Sequence, residues 1–123
     1  MILVDTSVWA DHLRETEPRL VVLLNEGSVL AHPFIIEELA CGNLPHRQET
    51  LDLLHALPMA PVAEHAEALD FMAGERLHGT GLGSVDVHLM ASARLAGAKV
   101  WSKDKALCRE AKRLDLFGGA RPA

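Results

Sequence analysis

Three short strand-like runs punctuate this chain, and each precedes a longer stretch of helical pattern. Ile2 to Val4 leads into Thr6 to Arg14, where Val8, Trp9 and Leu13 recur at helical spacing. Residues 29–31 lead into "PFIIEELACG", where Pro33 suits a first helical turn and Gly42 a helix stop. Lys99 to Trp101 leads into a last helix, Lys105 to Arg113. Helices are also expected over 20–26, 46–57, 64–78 and 85–96, with "PMAPV" an extended connector that has room for a short strand. Short strands alternating with helices predict an α/β fold, a three-layer α/β/α domain around a small, mainly parallel sheet.

At 123 residues the chain is expected to form one domain, 1–123. That length buries roughly two thirds of the unfolded surface. No apolar run approaches the ~20 residues a membrane-spanning helix needs. No basic stretch followed by an apolar one opens the chain, so no signal peptide is expected. Cys41 and Cys108 stand alone with no C-x-x-C, which points to a reducing, cytoplasmic setting.

The formal net charge is −5, which argues against a nonspecific nucleic-acid coat protein. The charges are unevenly spread. Residues 1–62 hold 3 Lys/Arg against 9 Asp/Glu, and residues 63–123 hold 9 against 8. Lys99, Lys103, Lys105, Arg109, Lys112 and Arg113 crowd one stretch. Either this is a solvated helix face, or it is a local patch that steers phosphate on an acidic protein.

The acids are the more specific signal. Asp5 follows the first strand and opens a helix, and Asp104 follows the last strand, after Ser102, and does the same. Asp86 falls in a first helical turn after Ser84, a plausible N-cap. The helix dipole favours negative charge at all three places. In an open parallel α/β sheet the crevice lies at the strands' carboxyl ends, so Asp5 and Asp104 are expected to meet there. Glu38, from the helix after the second strand, is placed to add a fourth carboxylate, with Glu37 competing for that role. Taken singly, a strand-end Asp is an N-cap and a helical Glu is solvated. Taken together, four facing carboxylates repel strongly unless a cation fills the space between them. All-oxygen donors select hard ions, Mg²⁺ or Mn²⁺, over zinc. The chemistry this implies is metal-assisted attack on a phosphodiester.

Four segments in order, "LVDTSVW", "IEELACG", "SVDVHLMASA" and "VWSKDKAL", resemble the motifs of PIN-domain ribonucleases, and most closely the VapC-type toxins of bacterial toxin–antitoxin pairs. The resemblance covers nearly the whole chain. It implies that Asp5, Glu38, Asp86 and Asp104 are both the catalytic and the metal-holding acids. The E-x-x-x-G spacing to Gly42 selects Glu38 over Glu37. It assigns supporting roles to Thr6, whose hydroxyl is expected to bond within the acidic cluster, and to Ser102 of the S-x-D pattern. It further implies Mg²⁺ or Mn²⁺, cleavage of RNA, a homodimer and a small antitoxin partner. Trp101 departs slightly from the family by standing where an aliphatic residue is usual.

Other features point less far. "GTGLGS" (residues 79–84) follows a helix rather than a strand and lacks G-K-[ST], so it reads as a loop delivering Asp86. The seven histidines form no H-E-x-x-H and are expected mostly at the surface. Trp9 is expected in the core or at a dimer contact rather than under a stacked base. Arg14 is near enough in sequence to reach a phosphate. Two other functions fit the same size and pattern: a catalytically silent binding module, and a phospho-receiver domain. A receiver would need an acid beside Asp5 and a Lys-Pro after the last strand, and neither is present.

Overall fold

A computed structural model describes residues 1–119. Strands β1 (Ile2–Val4), β2 (Val29–Leu30) and β3 (Lys99–Trp101) form one sheet in the order β2-β1-β3. Both pairings are parallel, Leu3 facing Leu30 on one side and Val100 on the other. The first strand of the chain is therefore the centre of the sheet. Seven helices accompany it among the described residues: α1 (Thr6–Arg14), α2 (Pro18–Asn25), α3 (Pro33–Ala40), α4 (Arg47–His55), α5 (His65–Gly74), α6 (Ser84–Ala96) and α7 (Lys105–Arg113).

Leu3 and Val4 are neighbours on a strand, so they point to opposite faces of the sheet, yet both are fully buried. Helices must then cover both faces, which is the layered α/β arrangement the strand-helix alternation predicts. Each such side chain contributes about 1.5–3 kcal/mol by burial. The α6 helix supplies much of the facing surface through Val87, Leu89, Met90 and Ala93. Gly97, at φ 64°, ends α6 in the left-handed conformation and turns the chain into β3.

Both sheet edges are covered by short extended pieces. On the β2 side, Ala31 pairs with Met59, donating its N–H to Pro58 O at 2.8 Å and accepting from Ala60 N–H at 2.8 Å. The strand expected in "PMAPV" is thus a single bridge. On the β3 side, Val100 donates to Leu116 O at 2.6 Å and accepts from Gly118 N–H at 2.9 Å. Helix α2 begins earlier than expected because Pro18 supplies the first position and the Glu17 side chain accepts from Arg19 N–H. Helix α5 stops at Gly74 rather than residue 78, and Arg76 at φ 57° bends the chain into the glycine loop.

The expectation of surface histidines fails at His32, which is fully buried. Its Nδ1 accepts from Phe34 N–H at 3.0 Å and caps α3. The proton therefore sits on Nε2, which donates to Ser92 Oγ of α6 at 3.1 Å. Burial, and then the neighbouring His88, push its pKa down to about 4. Trp9 is also buried, in the core. No helix among the described residues is long and apolar enough to cross a membrane.

Candidate active site

Parallel pairing alone brings two of the four acids together. Asp5 N–H donates to Trp101 O at 2.9 Å, so β1 and β3 end side by side, with Asp5 and Asp104 just beyond them. Trp101 itself is buried in the core. Asp5 is the buried acid, 6% exposed. Its Oδ2 accepts from Ser7 Oγ at 2.8 Å and from Ser102 Oγ at 2.7 Å. Each hydroxyl oxygen in turn accepts a backbone N–H at 3.0 Å, Ser7 from Lys103 and Ser102 from Asp104. Each hydroxyl has one proton, and both are given to Asp5. The 3.3 Å between the two serine oxygens is therefore a contact without a proton of its own. This network locks the loop after β3 onto the end of β1.

The hydroxyl on Asp5 is thus Ser7's and not Thr6's, as the family resemblance implied. Thr6 Oγ1 is buried and has no hydrogen-bond partner. The cause is helix phase. Asp5 stands at the N-cap of α1, and the residue two further on turns back over it, whereas Thr6 points into a cleft shared with Glu38. A D-x-S step at a strand end was the available signal for Ser7. Asp5 occupies the N-cap without capping, because its carboxylate is spent on the two serines.

The other acids are placed by helices. Asp86, third in α6, accepts from Gly83 N–H at 3.0 Å through Oδ2, and Gly83 rather than Ser84 is the N-cap. Asp104 caps α7, its Oδ2 accepting from Leu107 N–H at 2.9 Å. Glu38, on α3, is exposed and makes neither a hydrogen bond nor an ion pair among the described residues. It lines a cleft of about 390 Å³ with Thr6, Leu39 and Asn43. Glu37 does not line that cleft.

Electrostatics link the four. Burial raises the Asp86 carboxyl above its ordinary value; the Gly83 N–H opposes this, and the charges of Asp5 and Asp104 add to it. Burial also raises Glu38, reinforced by Asp5 and Asp86. None of the four takes part in the ion pairs among the described residues, which use Asp11, Glu17, Glu75, Glu110 and Asp115 instead. As the side chains stand, no three His, Cys, Asp or Glu groups among the described residues are close enough to share one ion. Three of the acids are each turned by one oxygen toward a local donor. Mutual repulsion works in the same direction.

The donor set nevertheless fits a hard cation. Asp5, Asp86 and Asp104 each spend only Oδ2, so each Oδ1 is uncommitted. Glu38 has both oxygens free, and Thr6 lines the same cleft with its hydroxyl buried and unpartnered among the described residues. Every available donor is oxygen, which suits Mg²⁺ or Mn²⁺.

Most of the basic stretch is engaged within the fold, Lys105 being exposed without an ion pair among the described residues. Lys103 binds Asp11 at 2.8 Å, Lys99 pairs with Asp115 at 3.6 Å, and Arg109 and Arg113 both bind Glu110, at 2.9 and 2.8 Å. Lys112 lies over the Phe117 ring. Arg14 is turned to Asp11.

A PIN domain family model matches residues 2–113. Ribonuclease VapC32 of Mycobacterium tuberculosis, in strain H37Rv and in strain CDC 1551, is 49% identical over 108 residues, 87% of either chain. Among solved structures, that of FitAB bound to an IR36 DNA fragment matches with a TM-score of 0.67 at 19% identity, over 98% of this chain and 94% of that one. FitAcB from Neisseria gonorrhoeae matches with a TM-score of 0.64 at 20% identity, over 98% and 97%. At these identities the two structures bear on the fold alone.

Proposed function

The chain belongs to the PIN-domain family, and from that premise we propose that it is a VapC-type endoribonuclease, the toxin of a toxin–antitoxin pair, dependent on Mg²⁺ or Mn²⁺. The carrying observation is a set of four carboxylates that act on one another electrostatically and form no ion pair among the described residues. The nearly half-identical relative named a ribonuclease supports the choice of RNA over other phosphodiesters. A single domain, a cytoplasmic site of action, a homodimer and a small antitoxin that blocks cleavage belong to the same proposal.

Hydrolysis of a phosphodiester needs an attacking water, an acceptor for its proton, and relief of the charge that develops on phosphate and leaving oxygen. The divalent cation, when bound, supplies that positive charge and makes the attacking water more acidic. Asp5, Asp86 and Asp104 would hold it, each having a carboxylate oxygen that is not hydrogen-bonded. Ser7 and Ser102 hold the Asp5 carboxylate in one orientation, because both hydroxyls donate to its Oδ2. Glu38 has both carboxylate oxygens free at the open side of the cleft, and there it accepts the proton of the attacking water. Without a cation, four carboxylates on a chain of net charge −5 repel the RNA backbone. Cation removal therefore weakens binding as well as chemistry.

The test is cleavage of a defined RNA by the purified protein. Cleavage should require Mg²⁺ or Mn²⁺, stop with EDTA, and be lost in Asp5→Asn and Asp86→Asn. Undiminished cleavage in both variants would falsify the proposal. RNA binding without cleavage at any metal concentration would instead favour a silent binding module.

A further inference from the structure

One buried carboxylate outside the cleft is unused by this mechanism. Glu110, on α7, is 5% exposed, covered by two arginine side chains. Its Oε2 accepts from Arg109 Nε at 2.9 Å and its Oε1 from Arg113 Nε at 2.8 Å. Each guanidinium then passes its Nη2 on to a backbone carbonyl. Arg109 donates to Thr80 O at 2.6 Å and Arg113 to Glu75 O at 2.7 Å.

Those two carbonyls lie in the segment 75–83 that joins α5 to α6. Leu77 anchors its first half in the core, where the Thr80 hydroxyl donates to Leu77 O, and the glycine-rich stretch beyond leans on α7. Arg76, Gly79 and Gly81 all take positive φ, at 57°, 73° and 90°. A Cβ on Gly81 would lie 3.8 Å from the Ala106 Cβ, so the segment rests on α7. It ends at Gly83, whose N–H binds the Asp86 carboxylate. Two arginines four apart on a helix repel, and Glu110 both offsets that repulsion and aims them, because the bonds at Nε leave the Nη2 atoms facing the loop. Helix α7 is also the helix that Asp104 caps. One helix thus fixes Asp104 directly and the Asp86 loop at a distance.

We propose that Arg109, aimed by Glu110, is a positioning residue that sets the loop before α6 and thereby the place of Asp86 in the acid cluster. This inference rests on the reading of Asp86 as a cation-holding acid. It is tested in the full chain with Arg109→Ala, Arg109→Lys and Glu110→Gln, by three measurements: amide exchange in metal-free protein, calorimetric binding of Mn²⁺ alone, and kcat and KM on an RNA oligonucleotide.

In Arg109→Ala, exchange at Leu77 and Gly83, whose N–H groups are bonded, should quicken by about tenfold or more while Val100 in β3 stays protected. Mn²⁺ affinity and kcat should each fall by about tenfold, the scale of lost outer-sphere support, with KM little changed. Arg109→Lys should fall between, since an ammonium cannot bond Glu110 and Thr80 in the same forked geometry. Glu110→Gln keeps the shape of the site and should show the same pattern in milder form, which carries the test should Arg109→Ala fold poorly. Faster loop exchange with unaltered Mn²⁺ affinity and kcat overturns the inference, and so does unaltered exchange. A wild-type protein that neither binds Mn²⁺ nor cuts RNA overturns the functional reading and this inference with it. A wild type that does both, with variants indistinguishable from it, overturns this inference alone.

Discussion

Two places in this molecule withdraw ionisable side chains from water beside others of the same kind. At the carboxyl edge of the sheet, Asp86 is half-buried within the field of Asp5 and Asp104. Deep in the core, His32 is fully buried within the field of His88. At His32 the core resolves its conflict alone, although the buried Nδ1 of His88 beside it has no hydrogen-bond partner among the described residues. His32 stays neutral, and both ring nitrogens are bonded, one to the α3 backbone and one to Ser92. The sheet edge does not. Asp5, Asp86 and Asp104 each spend one oxygen and keep the other, Glu38 keeps both, and none of the four is in an ion pair among the described residues. A buried polar group with every atom partnered serves the fold. Carboxylates held together with unspent oxygens and no ion pair are held for something else.

The largest expected effects separate the two places most sharply. Asp86→Asn should lower RNA cleavage at least about 100-fold, since a cation-holding acid supports several kcal/mol of transition-state charge stabilisation. Its thermal midpoint should not fall, because the amide oxygen can still accept from Gly83 N–H. His32→Ala should behave in the opposite way. It removes a buried ring, uncaps α3 and strands the Ser92 hydroxyl, together destabilising by about 2–4 kcal/mol by chemical denaturation. Cleavage per folded molecule should stay within a few-fold of wild type. A stable but inactive His32→Ala would break the comparison.

Much of this contrast is legible in the sequence, for local reasons. Strand-end acids and helix periodicity are written within a few residues, so Asp5, Asp86 and Asp104 fall near helix starts by inspection. What is hidden is non-local or a matter of phase. Nothing local says that Lys103 will meet Asp11, or Arg109 the carbonyl of Thr80, so the sequence does not show that part of the basic stretch is engaged within the fold. Ser7 and Thr6 are adjacent hydroxyls, and only the helical phase set by Asp5 at the N-cap decides between them. Arg76 in left-handed backbone cuts α5 short, and no residue preference foretells that of an arginine. The outer bridges at Met59 and Phe117 are single residues, too short to carry a period.

The pH dependence of stability sharpens the comparison further, because the two places respond with opposite sign. His32 has its folded pKa lowered from 6.5 to about 4, so between these values the unfolded chain binds more protons than the fold. Stability should therefore fall as pH drops from 6.5 toward 4, by up to about 3 kcal/mol at 1.36 kcal/mol per unit. Denaturant titrations of wild type and His32→Ala across that range check this, and the variant should lack the His32 part of the slope. An equal slope in both would mean that His32 is not neutral in the fold.

The smallest expected effect has the other sign and belongs to the acid cluster. Asp86 and Glu38 have folded pKa values raised above their ordinary 3.8 and 4.5. The fold then binds more protons than the unfolded chain just above those values. Each group therefore costs stability, beginning as pH rises through its ordinary value and complete once its raised folded value is passed. In EDTA at pH 8, Asp86→Asn should thus unfold at a higher temperature than wild type, and Glu38→Gln should shift less because it is exposed. The gain should shrink as pH falls through the raised folded values of Asp86 and Glu38. Saturating Mn²⁺ should reverse the order at pH 8, since the ion stabilises the protein whose acids it can bind and does so less in the variant. A variant no more stable than wild type in EDTA would show that these acids sit at ease with one another, and the cluster would then belong with His32 as structure.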